Sequence, residues 1–158
     1  MPTFIRQVDI DAPVSVVFGF HERDDALRLL SPAFPPVRVV RRSGGIQRGA
    51  EVELRVAGII HWLARHTEYE SQRLFVDEQV RGPFRRWVHR HEFQALGDRT
   101  RLTDRVSYEL PGGAVVNAVA RFAIEVGLGR MFAHRHRVTK QYCESRPTSS
   151  GLLSRLTS

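Results

Sequence analysis

The chain has 158 residues, 42% hydrophobic and 26% charged, and its 24 lysines and arginines against 17 aspartates and glutamates give a formal charge of +7. That is the size and balance of one globular domain with a real core, and no apolar run approaches the length that crosses a membrane. The single cysteine, Cys143, excludes an internal disulfide and a cysteine-based zinc site. The basic balance points toward nucleic acid or an anionic surface. Yet Lys140 is the only lysine, and the arginines are scattered with no block of like charge. The charge reads as coding bias as much as selection for a ligand, and nucleic-acid binding is not expected. The opening MPTFIRQVDI lacks the charged and apolar regions of an export signal, so a cytoplasmic location is expected.

Residues 3–10 (TFIRQVDI) alternate and predict a first strand. Asp11 and Pro13 mark a helix start, followed by a short helix over 14–21. A second short helix begins near Asp24-Asp25, carries Ala26, Leu27, Leu29 and Leu30, and stops at Ser31-Pro32. From Val37 the pattern turns to strands: 37–42, then 50–58 after a Gly-rich turn, 59–70 and 74–80. If Ser71-Gln72 is a tight turn, Glu70 faces Arg73 and His66 faces Asp77, which puts Glu68 with Asp77 and Gln79 on the inner side.

The stretch 75–110 reads as three antiparallel strands with turns at Arg81-Gly82-Pro83 and Gly97-Asp98. Trp87, His89, His91 and Phe93 share one face at a period of two. A two-residue hairpin at Gly97-Asp98 pairs Leu96 with Arg99, His91 with Asp104, Trp87 with Tyr108 and Phe93 with Leu102. A three-residue loop at 81–83 keeps Phe75, Asp77 and Gln79 on the same face. The opposite face (Arg86, Val88, Arg90 and Glu92 against Arg101, Thr103, Arg105 and Glu109) reads as solvent. An apolar inner face with a few convergent polar groups describes a lined pocket better than a sealed core.

Residues 114–143 lack proline and repeat Val115, Val119, Phe122, Ala123, Val126 and Phe132 at helical spacing, which predicts one long amphipathic helix packed through that stripe. Gly127 and Gly129 inside it imply a kink, a close approach to the sheet, or plain tolerance. The Ser/Thr-rich residues 144–158 read as a disordered tail.

The order strand, two small helices, six strands, long helix resembles the helix-grip fold of the START-like (SRPBCC) superfamily over residues 3 to 143. The run Phe75-x-Asp77-x-Gln79-x-x-Gly82-Pro83-Phe84-x-x-Trp87-x-His89-x-His91-x-Phe93, with Asp104, Tyr108 and Pro111, carries most of the resemblance. The opening IDAPVSVVFGF and the segment FAHRHR add to it, and the chain is similar to the bacterial branch grouped loosely with polyketide cyclases and dehydrases. The resemblance implies an α+β domain over 1–143. In it a curved seven-stranded antiparallel sheet, two short helices and a long C-terminal helix enclose a cavity for a lipid, sterol, polyketide or other small apolar molecule. It leaves open whether the chain is a carrier, a sensor or an enzyme.

His89, His91 and Asp104 support three readings: a metal-binding facial triad, a proton-transferring histidine–aspartate pair, or a buried polar ladder that fixes register. Nothing in the resemblance implies a metal or other cofactor, and none is expected. Asp77, if unpaired, is a candidate general base beside His66 and His89, since an apolar cavity raises a carboxylate's pKa. Of the aromatic set Trp62, Phe75, Trp87, Phe93, Tyr108, Phe122 and Phe132, most read as core, with Trp87 and Tyr108 the best cavity candidates. Arg135, three residues after Phe132, is placed to catch an acidic headgroup. The segment His134-Arg135-His136 equally reads as a solvated basic last turn complementing the helix dipole. The candidate catalytic set is thus His89, His91, Asp104 and Asp77. The ligand-binding set adds Trp62, His66, Gln79, Trp87, Tyr108, Phe132 and Arg135. The sequence is silent on oligomeric state.

Overall fold

The computed structural model describes residues 1–145. Its elements are β1 (Thr3–Ile10), α1 (Val14–Glu22), α2 (Ala26–Leu30), β2 (Val37–Ser43), β3 (Glu51–Val56), β4 (Ile60–Glu70), β5 (Leu74–Arg81), β6 (Arg86–Leu96), β7 (Arg99–Glu109) and α3 (Gly113–Glu144). The strands form one antiparallel sheet in the order β1-β7-β6-β5-β4-β3-β2, so β2 to β7 run as a meander and β1 adds to the far edge. The curved sheet, two short helices and long terminal helix make the helix-grip fold that the element order implied. The predicted tail, residues 144–158, lies almost wholly outside the described residues, and α3 runs one residue into it.

Gly97-Asp98 makes the expected two-residue turn, and β6 and β7 pair Trp87 with Tyr108, His91 with Asp104 and Phe93 with Leu102. Thr103 departs from the solvent face expected of it. It is buried, flanked by Gln7 of β1 and Glu92 of β6. Between β5 and β6 the pairs are Asp77 with His89 and Phe75 with His91. This register differs from a three-residue loop but keeps the same parity, so the inner face is unchanged.

Between β4 and β5 the outcome is mixed. His66 does face Asp77, but Glu70 pairs with Leu74 rather than Arg73, and the register slips between His66 and Glu68. One extra residue reverses every side chain beyond it. Glu68 therefore points outward to Arg90 Nη1 at 3.0 Å, and Tyr69 turns inward against Phe18, ring centroids 5.8 Å apart.

Two apolar clusters occupy the space between sheet and helices. One, under α1, joins Ile10, Val17, Phe18, Phe20, Phe75, Phe93, Leu102 and Cys143. The other joins Trp87, Val106, Tyr108, Leu128 and Phe132. On β6 and β7 the residues between these clusters are His89, His91 and Asp104, all buried.

Of the stripe read from sequence, the terminal helix buries only Phe132. Its buried residues are Leu128, Phe132, His136, Thr139 and Cys143. Val115, Val119 and Phe122 are 76%, 79% and 79% exposed, and Val126 is 38% exposed. Periodicity identifies an apolar face but not the face that packs, and this helix has two. Nor does a close approach explain its glycines, since a Cβ at Gly127 or Gly129 would meet nothing within 4 Å. Gly112 does have a backbone reason: its φ is +104°, and a Cβ there would sit 2.7 Å from Val116 Cγ2.

Asn117 sets the corner from β7 into α3. Its Oδ1 accepts the Leu110 amide at 2.8 Å, and its Nδ2 donates to the carbonyls of Leu110 at 3.0 Å and Gly113 at 2.7 Å. Asn117→Ala is expected to lower unfolding stability by about 1–2 kcal/mol, measured by urea denaturation. An unchanged midpoint would mean that the helix is aimed by its packing alone.

Candidate functional site

A cavity of about 590 Å³ lies between the concave face of the sheet and α3. Its apolar wall comes from Ala26 and Leu30 of α2, Val52 and Leu54 of β3, Trp62 and Ala64 of β4, Trp87 of β6, and Ile124, Leu128 and Met131 of α3. Phe34, 86% exposed, stands at its rim. The polar part of the wall is His21, His66, Asp77, His89, His91 and Arg135, with Arg23, Arg42 and Arg130 also lining it. Alternation along β4, β5 and β6 aims these sheet residues inward, and the one-residue slip in β4 falls after His66, so it leaves that part of the strand facing in.

The polar groups are organised by Asp104, 3% exposed. His89 Nε2 donates to its Oδ1 at 2.9 Å, and His136 Nε2 meets its Oδ2 at 2.5 Å. His91 Nδ1 lies 2.7 Å from Oδ1 but off the line of a hydrogen bond. On the cavity side, Asp77 Oδ1 is 3.4 Å from His89 Nδ1 and 3.5 Å from His91 Nε2. The two imidazoles lie with ring centroids 3.8 Å apart, and Phe75 stacks on His91 at 4.0 Å.

Burial is the largest influence on these groups, and partners then decide the sign. It pulls the His89 imidazole down, but the Asp77 charge and the hydrogen bond to Asp104 outweigh it and raise its pKa to about 9. Burial pushes Asp77 and Asp104 up, yet the histidines hold both carboxyls well below the usual range. His21 and His66 have no such carboxylate contact, and burial carries His21 down to about 4 and His66 downward. Burial likewise lowers Arg135. The Arg135 guanidinium carbon lies 5.6 Å from the centroid of Phe132, and its Nε has no hydrogen-bond partner among the described residues. Among the described residues, Asp77, His89 and His91 are the set whose ligand atoms converge within 4.8 Å, as a metal site requires.

Of the residues singled out from sequence, Trp62, His66, Asp77, Trp87, His89, His91 and Arg135 line the cavity. Gln79, Asp104, Tyr108 and Phe132 do not. The Gln79 amide turns aside to the backbone of Phe84, with Nε2 donating to its carbonyl at 2.7 Å. Asp104 sits behind the histidines. Tyr108 is fully buried, and Phe132 packs under His89, centroids 5.1 Å apart. Phe122, counted with the core aromatics, is exposed. The solvated last turn is also overturned, since His136 is 5% exposed and bonded to Asp104, while Arg135 faces the cavity. Sequence reasoning missed His136 and His21. His136 lies four residues after Phe132, a spacing that would have found it.

Asp104→Asn leaves the buried histidines without their shared charge, and a loss of roughly 3–5 kcal/mol in urea unfolding is expected. A near-neutral substitution would mean that the histidines are held by packing instead.

Comparison with known proteins fits this geometry. The family described as polyketide cyclase/dehydrase and lipid transport matches residues 10–134. An aromatase/cyclase from Streptomyces sp. R1128 is similar in structure with a TM-score of 0.72 and 15% identity, over 95% of this chain and 98% of that one. Norcoclaurine synthase from Thalictrum flavum, in complex with dopamine and hydroxybenzaldehyde, has a TM-score of 0.68 and 10% identity, over 93% of this chain and 89% of its own. A nucleoside-diphosphate sugar epimerase from Corynebacterium glutamicum has a TM-score of 0.71 and 23% identity, over 96% of this chain but only 30% of the epimerase. At such identities the likeness shows the fold. A search of the curated proteins found no sequence match. Matched over more than half its length and built on the same fold, the chain belongs to the polyketide cyclase/dehydrase and lipid transport family.

Proposed function

We propose that the chain holds a small, largely apolar molecule of lipid or polyketide type in this cavity, as a carrier or sensor. The observation that carries the reading is the cavity itself. Its roughly 590 Å³ falls within the ordinary range for small-molecule sites, and its wall is largely apolar, its polar parts being the histidine–aspartate cluster and four arginines, Arg23, Arg42, Arg130 and Arg135. The apolar wall supplies affinity by removing hydrocarbon from water. The polar cluster orients the guest, with Arg135 offering N–H donors and Asp77, His89 and His91 offering groups that accept or give a proton.

A second reading, a cyclase- or dehydratase-like enzyme, is favoured by one specific feature. Asp77, His89 and His91 lie together on the cavity wall, and Asp104 orients the His89 imidazole from behind. A carboxylate-oriented imidazole beside a second carboxylate is equipment for moving a proton on a bound carbonyl compound. A pure carrier has no evident use for it. Two of the structural neighbours, the aromatase/cyclase and norcoclaurine synthase, are enzymes by their names, which lends this reading weight.

Both tryptophans of the chain, Trp62 and Trp87, face the cavity, so intrinsic fluorescence reports its occupancy. Native mass spectrometry of the purified protein is expected to show a retained apolar molecule, and 1-anilinonaphthalene-8-sulfonate should shift the tryptophan emission. Trp87→Ala should weaken uptake of that probe roughly tenfold, the loss of about 1.5 kcal/mol of buried aromatic surface. A protein that takes up no apolar probe defeats the binding reading. The enzyme reading expects Asp77→Asn to retain the probe and to abolish turnover of a poly-β-ketone. Absence of turnover in the unsubstituted chain counts for the carrier.

A further inference from the structure

On the cavity wall, His89 and His91 present all four ring nitrogens to carboxylate oxygens. Two of the contacts go to Asp104 Oδ1, at 2.9 Å from His89 Nε2 and 2.7 Å from His91 Nδ1. The other two go to Asp77 Oδ1, at 3.4 Å from His89 Nδ1 and 3.5 Å from His91 Nε2. A neutral imidazole carries one N–H, so two neutral rings supply two donors for four contacts. One imidazolium still leaves a ring nitrogen facing a carboxylate with its lone pair. Two imidazoliums would stack like charges with centroids 3.8 Å apart in a buried place.

The distances divide into two classes. Those to Asp104 are short, the His89 one a hydrogen bond and the His91 one off the line of a bond, whereas those to Asp77 exceed the ordinary N–H···O limit of about 3.2 Å. A divalent ion bound at about 2.0–2.1 Å to nitrogen and oxygen ligands in tetrahedral geometry requires its ligand atoms to be roughly 3.3 Å apart. The two cavity-side separations, 3.4 and 3.5 Å, are close to that edge. The third edge, between the two ring nitrogens, is within 4.8 Å.

We infer that Asp77 Oδ1, His89 Nδ1 and His91 Nε2 form a binding site for one divalent transition-metal ion of the zinc class, with Asp104 behind the rings as the carboxylate that is hydrogen-bonded to His89 and in contact with His91, and the cavity supplying the open coordination position. This departs from the sequence expectation of no metal. It also exchanges the carboxylate, because Asp104 was the third ligand suggested by the strand pairing and the structure puts it behind the rings. Nitrogen and oxygen donors of this kind suit zinc, cobalt, nickel and ferrous ions rather than calcium or magnesium. The outer carboxylate is the usual support for ligating histidines. Two carboxylates balance the ion's two charges. Arg135, also at the cavity wall, offers N–H donors that favour an oxygen-bearing guest in the open position.

The test uses the full chain, stripped with a chelator and titrated with zinc by calorimetry and with cobalt(II) by visible absorption, with no apolar guest present. One equivalent of zinc and the intense absorption of low-coordinate cobalt are expected. Asp77→Asn and His91→Gln, checked for folding by circular dichroism, should lose stoichiometric uptake. His61→Ala, at an exposed position, should not. Asp104→Asn should weaken uptake about 10–100-fold. Failure of zinc to bind stoichiometrically, or equal uptake by folded Asp77→Asn, overturns the site. If the variants do not fold, the cobalt spectrum of the unsubstituted chain decides, since the weak bands of a six-coordinate aqueous ion would also overturn it. Metal uptake is read without the guest, so its failure and a failure of apolar-probe binding are separate results.

Discussion

Asp104 stands in the middle of β7 with one oxygen toward His89 on the neighbouring strand and the other toward His136 on α3, so sheet and terminal helix meet on a single buried carboxylate. A charge at 3% exposure is tolerable only when its lone pairs are met, and here three histidines surround it. Without those partners the carboxyl would neutralise or the region would open to water. With them, β6, β7 and α3 share one polar contact region between two apolar clusters.

The cavity follows from how the remaining layers close around that contact. Phe18, Phe75 and Phe93 fill one end beneath α1, with Phe18 and Phe93 edge to face at 5.0 Å. Phe132 and Tyr108 fill the space under the histidines. Toward β3 and β4 the curved sheet draws away from the helix and the side chains lining the gap no longer meet across it. The polar wall therefore sits where the packed interior ends and the hollow begins, and the same residues serve both. His89 is at once part of the structural tie to Asp104 and part of the surface that a guest would touch.

α3 carries two apolar stripes with different fates. The stripe through Leu128 and Phe132 packs, while Val115, Val119 and Phe122 face outward. Both have helical spacing, and both look equally suited to burial when the helix is read alone. The choice was made by the contacts that anchor the C-terminal half: His136 on Asp104, Lys140 Nζ on the Asp9 carbonyl at 2.9 Å, and Arg6 on the Gly129 carbonyl at 3.2 Å. Once those are formed, helix rotation is set and the second stripe must face away.

The sequence by itself determined the elements, their order and most of the inner face of the sheet. A period of two along β6, a two-residue turn at Gly97-Asp98 and a proline-free run to Cys143 are local signals, and local signals survive without tertiary context. Trp87, His89, His91 and Asp77 were legible for that reason, and so was the pairing of His91 with Asp104. What only the tertiary structure decided depends on distances between elements. The slip after His66 turned Glu68 outward, the rotation of α3 brought in His136 and Arg135 and left Phe122 exposed, and Asp104 fell behind the imidazoles with Asp77 in front. Periodicity states which residues share a face. It carries no information about which of two neighbouring carboxylates looks into the hollow, because that is fixed by sheet curvature and by where the helix comes to rest.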